Sequence, residues 1–162
     1  MDDGGNLRLL IRDLTQPNGL AFPPDGKAFY VDNSEQRNIR AYDVAADGNL
    51  QNGRIFGDEH GEKNDSVPDG IKVDGQGNLF VTGPRGIWVG CARQSPWHYH
   101  HAGTAGESEG GDNDHRTLYI TATTSVYRLE TKRRALSLIW STDASPAGPE
   151  HVPARVIREV RS

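Results

Sequence analysis

The sequence predicts an all-β fold of repeated four-stranded units, a β-propeller, and three observations carry this prediction. A motif that begins at Pro17 returns at Pro68, 51 residues further on. Segments with helical periodicity are nearly absent. Nineteen glycines and nine prolines indicate frequent turns. Units of about 40–50 residues made of short strands and turns are typical of propeller blades, so the 162 residues correspond to about three blades.

Each copy of the motif predicts two strands joined by a turn that contains glycine. The first copy covers residues 17–31 and the second 68–81, while a partial third copy matches only the turn and second strand at 114–121. Alternating or β-branched and aromatic residues predict a further strand after each copy, at 38–43, 86–89 and 125–129. We expect four aromatic side chains to pack between the blades: Tyr30, Phe80, Trp88 and Tyr119.

Composition excludes several classes of function. Eighteen Lys and Arg against 22 Asp and Glu give a formal net charge of −4, which argues against a nucleic-acid binder. No apolar run approaches the roughly 18 residues of a membrane span, so no membrane partner is expected. The acidic N-terminus lacks the basic and apolar parts of a signal peptide, and Cys91 is the only cysteine. We therefore expect a cytoplasmic protein.

Several motifs in order resemble the SMP-30/gluconolactonase (LRE-like) family. They are Gln-Pro-Asn-Gly-Leu-Ala-Phe at 16–22, Arg-Ala-Tyr-Asp-Val at 40–44 and Val-Pro-Asp-Gly-Ile-Lys-Val-Asp at 67–74, followed by the strands at 117–129. The resemblance implies a six-bladed β-propeller, of which this chain is similar to the C-terminal half. It also implies a metal-dependent hydrolase of sugar-acid lactones, with a small lactone as its substrate.

Two segments depart from the family pattern and define the expected domains. Residues 1–132 are predicted to form a partial propeller, interrupted at 90–111, where the pattern is lost and then resumes. Paired compensating frameshifts in the coding DNA would produce such a window, and natural divergence is the alternative explanation. Residues 133–162 contain Pro146, Pro149 and Pro153 and are predicted to be a mostly irregular tail.

Asn18 and Asp69 occupy the same position in successive copies of the motif. As part of Pro-Asn-Gly and Pro-Asp-Gly they are ordinary turn residues. The resemblance implies instead that both bind one divalent cation and that Asp69 also guides the proton of the attacking water. Oxygen donors favour Ca²⁺, Mg²⁺ or Mn²⁺, with Ca²⁺ expected first, and the family also admits Zn²⁺. A glutamate, a second asparagine and an arginine of the family site have no counterpart here.

Two other constellations have simpler explanations. Gly106-Glu107-Ser108-Glu109-Gly110 matches the nucleophile-elbow pattern, but a buried strand before it and a helix after it are not predicted. His98, His100 and His101 form a histidine-rich tract near Asp112, Asp114 and His115 that could bind transition metals. A flexible loop with adventitious affinity is the preferred explanation, because no rigid element is predicted to fix the ligands. Neither is expected to carry the function.

A non-catalytic function is the rival hypothesis. Half of the family's ligand set has no counterpart, and a partial propeller exposes strand edges that invite pairing with another chain. The chain would then be a propeller remnant that acts as a binding or assembly module and self-associates through its open blade edges.

Overall fold

The computed structural model describes residues 7–59, 66–91, 94–101, 105–113, 116–131, 135–136 and 155–156. These residues form thirteen strands in three antiparallel sheets and no helix. None of the described segments therefore forms a helix that could cross a bilayer. The predicted all-β architecture of about three blades is confirmed.

The three sheets follow one another along the chain as blades 1, 2 and 3. Blade 1 is the sheet β1 (Pro17–Ala21), β2 (Ala28–Asn33), β3 (Asn38–Val44) and β4 (Leu50–Asp58). Blade 2 is β5 (Ile71–Asp74), β6 (Asn78–Gly83), β7 (Gly86–Cys91) and β8 (Gln94–His101). Blade 3 is β9 (Ala105–Gly111), β10 (Thr117–Ala122) and β11 (Ser125–Glu130). Each blade is a meander in which sequential strands pair, so the repeated motif supplies the first two strands of blades 1 and 2.

Two short strands from the C-terminal segment complete the sheets. β12 (Ala135–Leu136) pairs with β5, and β13 (Arg155–Val156) pairs with β11. These are the described residues of the segment 133–162, and its irregular character otherwise stays a prediction.

The window 90–111 forms strands even though its sequence leaves the family pattern. β8 pairs with β7, with Trp88 opposite Tyr99, and β9 pairs with β10, with Ser108 opposite Ile120. The neighbouring strand of each sheet offers unpaired backbone groups, which a segment of almost any composition can satisfy. The window therefore completes blade 2 and opens blade 3.

The hairpin turns depend on aspartates beside glycines. Asp25 accepts a hydrogen bond from the backbone N–H of Lys27 at 3.0 Å, and Asp47 accepts one from Asn49 at 3.0 Å. Asp74 accepts two, from Gln76 and Asn78, each at 2.9 Å. These bonds hold the chain in tight turns and fix the register of each hairpin.

Blade 2 is apolar on both faces and forms the middle layer. Leu79 and Val81 face blade 1, whereas Phe80 and Ile87 face blade 3. The first interface contains Ala21, Tyr30, Ile39, Ala41, Ile71 and Val73 as well, and the second contains Ala105, Leu118, Ile120 and Leu129. Burial of these side chains is the main stabilising contribution to the stack.

The outer faces of the stack differ from each other. On blade 1, Leu20 and Ile55 share the face turned away from blade 2 and are 49% and 60% exposed. Blade 3 turns Tyr119 and Arg128 outward, and Tyr119 is 38% exposed. The prediction that Tyr119 packs between blades is wrong, because on β10 the alternate residues Leu118 and Ile120 face blade 2.

Candidate functional site

The structure brings Asn18 and Asp69 into contact. Asn18 lies in β1, and Asp69 lies two residues before β5, the corresponding strand of blade 2. The Nδ2 of Asn18 donates a hydrogen bond to Oδ1 of Asp69 at 2.6 Å. Asn18 is exposed and Asp69 is half-buried, so both polar groups are accessible from solvent. The side chains therefore meet at one point, although they are far apart in the sequence.

Glycine allows this meeting because the first strands of blades 1 and 2 almost touch at Gly19. A Cβ atom at Gly19 would lie 2.5 Å from the carbonyl oxygen of Asp69 and 2.8 Å from the backbone nitrogen of Ile71. Real Cβ atoms do not approach backbone atoms so closely. The glycine that follows Asn18 in the motif is therefore required by the approach of the second blade.

An equivalent hydrogen bond, from a backbone N–H to a side-chain oxygen of the next strand, occurs at the start of all three blades. The donors and acceptors are Gly19 N to Asp32 Oδ2 (2.9 Å), Gly70 N to Thr82 Oγ1 (2.6 Å) and Glu107 N to Thr121 Oγ1 (2.9 Å). Glu107 thus takes the place of the motif glycine in blade 3. Gly106, one residue earlier, takes the place that Asn18 and Asp69 have in blades 1 and 2, so blade 3 contributes no side chain there.

Glu107 nevertheless brings a second carboxylate to the region of Asp69. A Cβ atom at Gly70 would lie 2.7 Å from Oε2 of Glu107, so this side chain lies against the backbone next to Asp69. The sequence pattern around Glu107 does not predict a functional position for this residue. The register of β9 was the missing information, because the family pattern is lost in the window that contains it.

Asp32 is a buried carboxyl group between the two site segments. The pKa of Asp32 is raised from 3.8 to about 7, mainly by burial. The hydrogen bond from the Gly19 N–H lowers this pKa, and the charges of Asp69 and Glu107 raise it. The carboxyl group is therefore largely protonated in mildly acidic solution. A buried aspartate in β2 could have been noticed from the strand pattern, because an apolar residue is typical of such a central strand position.

Comparison with known proteins identifies the family of the chain. The sequence profile of the SMP-30/gluconolactonase/LRE-like region matches residues 1–124. The chain belongs to this family. A curated gluconolactonase of Zymomonas mobilis subsp. mobilis is 32% identical in an alignment of 142 residues that covers 79% of this chain and 38% of that protein. The chain thus spans about two fifths of the length of this relative.

Solved structures of family members share the fold. A gluconolactonase of Xanthomonas campestris is 32% identical, with a TM-score of 0.61 over 74% of this chain and 39% of its own. A regucalcin of Agrobacterium tumefaciens, described as a calcium-binding protein, has a TM-score of 0.61 at 18% identity over 74% of this chain and 42% of its own. This last likeness shows the fold alone.

The structure describes the other two candidate sites only in part. Ser108 lies inside strand β9, its side chain is buried, and its Oγ has no hydrogen-bond partner among the described residues. The backbone of His98, His100 and His101 belongs to β8, but their side chains and all of His115 lie outside the described part of the chain. Among the described residues, no group of three His, Cys, Asp or Glu side chains could hold a metal ion.

The close approach at Gly19 predicts a large difference between two glycine substitutions. Gly19→Ala should lower the free energy of unfolding by about 2 kcal/mol or more, because backbone atoms of blade 2 must move. Gly75→Ala is the control, since a Cβ there meets nothing within 4 Å, and it should change stability by less than about 0.5 kcal/mol. Urea unfolding measures both, and equal effects would show that the blades are not in close contact at Gly19.

The raised pKa of Asp32 predicts a pH-dependent stability. Between pH 4 and 7 the folded chain keeps a proton that the unfolded chain has lost, so the free energy of unfolding falls as pH rises. The contribution is on the order of 1.4 kcal/mol for each pH unit in this window. Asp32→Asn cannot titrate, so its stability should fall less steeply in urea unfolding at pH 4, 5.5 and 7. Parallel curves would contradict the pKa assignment.

Proposed function

We propose that this chain is a metal-dependent hydrolase of sugar-acid lactones in which Asn18 and Asp69 bind the cation. The contact of 2.6 Å between these two side chains is the observation that supports the proposal most strongly. It joins the two motifs that also carry the family resemblance. The family of the chain and its gluconolactonase relatives favour a lactone as the substrate.

The chemistry of the donors fits a hard divalent cation. An amide oxygen from Asn18 and a carboxylate from Asp69 are oxygen ligands of the kind that Ca²⁺, Mg²⁺ and Mn²⁺ prefer, and Ca²⁺ is our first expectation. Zn²⁺ remains an alternative because carboxylate oxygen also binds it. Two protein donors leave most of the coordination to water or substrate, which favours a weakly held, exchangeable ion.

Asp69 has one carboxylate oxygen available for chemistry. Its Oδ1 accepts the hydrogen bond from Asn18, while Oδ2 lies 3.6 Å from the place where a Cβ atom at Gly106 would be. Because blade 3 has Gly106 at this position, that residue adds no side chain beside this oxygen. A water molecule or a small ligand can therefore approach Asp69 from the side of blade 3.

In the hydrolysis, one proton moves from the attacking water to this oxygen of Asp69 and then to the leaving ring oxygen. A divalent cation, when bound, polarises the lactone carbonyl and acidifies water. Asp69 accepts the proton as the water oxygen bonds to the carbonyl carbon, and the same proton passes to the ring oxygen when the carbon–oxygen bond of the lactone breaks. The products are the open sugar acid, and Asp69 returns to its carboxylate form.

A non-catalytic binding or assembly module is the second candidate. The outward face of blade 1 carries exposed apolar side chains, among them Leu20, Phe22 and Ile55, at 49%, 47% and 60% exposure. Apolar groups on a sheet face favour association with another protein surface. This candidate predicts an oligomer in analytical ultracentrifugation and no lactone turnover with any divalent cation.

The lactonase proposal predicts that Asp69 and a cation are both essential. Asp69→Asn preserves the size of the side chain but removes its negative charge and its ability to accept a proton. Hydrolysis of a gluconolactone should therefore slow by at least about 100-fold. EDTA should abolish the activity, and Ca²⁺ or Mn²⁺ should restore it. A pH-stat assay measures the release of acid.

Asp25→Asn is the matched control for this experiment. Asp25 is an exposed aspartate in a hairpin turn of blade 1, and its substitution should leave the rate within about twofold of the wild-type value. A wild-type rate that neither EDTA nor Asp69→Asn reduces would contradict the proposal.

A further inference from the structure

We infer that Asp32 and Ser34, at the end of β2, are positioning residues that hold Asn18 and Asp69 in register across the two blades. The inference rests on the proposed function, because the register matters to chemistry only if the two side chains share a ligand. Neither residue touches the reacting groups, so both act through the backbone segments that carry Asn18 and Asp69.

Ser34 is hydrogen-bonded to both of these segments. Its backbone N–H donates to the carbonyl oxygen of Gln16 at 2.9 Å, two residues before Asn18. Its hydroxyl donates to the carbonyl oxygen of Pro68 at 2.7 Å, one residue before Asp69. A single residue of blade 1 therefore connects the start of β1 to the segment that leads into blade 2.

Asp32 adds a third hydrogen bond, to Gly19, the residue that follows Asn18. Its Oδ2 accepts the hydrogen bond from Gly19 N at 2.9 Å, and its Oδ1 lies 3.4 Å from the hydroxyl of Ser34. Asp32 and Ser34 are 0% and 1% exposed. Bonds at such buried positions are not exchanged for bonds to water, so they restrict the backbone strongly.

A count of hydrogen atoms explains how the two side chains cooperate. A serine hydroxyl carries one hydrogen, and the distance of 2.7 Å assigns it to the carbonyl of Pro68. A protonated Asp32 can then donate to Ser34 Oγ, which completes a chain from Asp32 through Ser34 to Pro68. An asparagine at position 32 can reproduce this pattern, because its NH₂ donates to Ser34 and its oxygen accepts from Gly19.

Blade 2 lacks this cross-blade connection at the equivalent place. Thr82 stands where Asp32 stands in blade 1, and its Oγ1 binds Gly70, a residue of its own blade. Pro84, the residue equivalent to Ser34, has no hydroxyl group that could extend the connection. The hydrogen-bonded connection through Asp32 and Ser34 is therefore found between blades 1 and 2, the pair of blades that carries Asn18 and Asp69.

Mn²⁺ affinity, measured by electron paramagnetic resonance of the free ion, tests the positioning role. Ser34→Ala should raise the dissociation constant for Mn²⁺ about tenfold, the equivalent of one buried hydrogen bond. Ser34→Thr keeps the hydroxyl and should stay within about threefold of the wild-type value. Asp32→Asn should retain affinity, whereas Asp32→Ala should lose it.

Thr131→Val is the matched control, because the Thr131 hydroxyl also donates to a backbone carbonyl, that of Arg116 at 2.9 Å, but in blade 3. Both variants lose one such bond, yet only Ser34→Ala should weaken Mn²⁺ binding. Equal dissociation constants for these two variants would overturn the inference.

Hydrogen exchange of the metal-free protein distinguishes a failure of the positioning role from a failure of the proposed metal-dependent function. The Gly19 amide should exchange slowly in wild type and in Asp32→Asn, and at least about tenfold faster in Asp32→Ala. A wild-type chain that protects Gly19 but binds no Mn²⁺ would overturn the proposed function, and the positioning role with it. Fast exchange of Gly19 in wild type would overturn the inference itself, whatever the affinity for Mn²⁺.

Discussion

The close contact of two backbones at Gly19 is the constraint on which the candidate site depends. The first strand of blade 1 and the segment leading into blade 2 approach so closely that a Cβ atom at Gly19 would overlap backbone atoms of Asp69 and Ile71. The polar side chain that precedes the glycine in blade 1 consequently meets its counterpart from blade 2. The motif Pro-[Asn/Asp]-Gly combines both requirements, since one residue carries the polar side chain and the next permits the contact.

Blade 3 keeps the strand pairing of this arrangement but has no polar side chain at the position of Asn18 and Asp69. Its first strand carries Gly106 at the donor position, Glu107 at the glycine position and Ser108 at a position where blades 1 and 2 have Leu20 and Ile71. In the described part of the chain the buried Ser108 hydroxyl has no hydrogen-bond partner, and such a group lowers stability compared with an apolar residue. Blades 1 and 2 therefore supply the two polar side chains of the candidate site, while blade 3 covers the apolar face of blade 2.

The repeat made much of the fold predictable from the sequence. Alternating residues and Asp-Gly turns identify the paired strands of blades 1 and 2, and the position of Asn18 and Asp69 within the repeat predicts that they lie near each other. Strands β8 and β9 were not predictable from their own residues, because hydrogen bonds to neighbouring strands form them. Ser34 was missed for a related reason, since its role depends on a backbone carbonyl 34 residues away in the sequence.

Paramagnetic broadening of amide signals by Mn²⁺ tests most directly whether Asn18 and Asp69 share one cation. In ¹⁵N-labelled protein, the amides of Gly19 and Gly70, which follow the two donors, should broaden first as Mn²⁺ is added. Amides beside the exposed turn aspartates Asp25 and Asp47 should broaden only at higher concentration. A shared site between blades 1 and 2 would be contradicted in two cases. In the first, the amides beside Asn18, Asp69, Asp25 and Asp47 broaden simultaneously. In the second, broadening begins at Asp25 or Asp47.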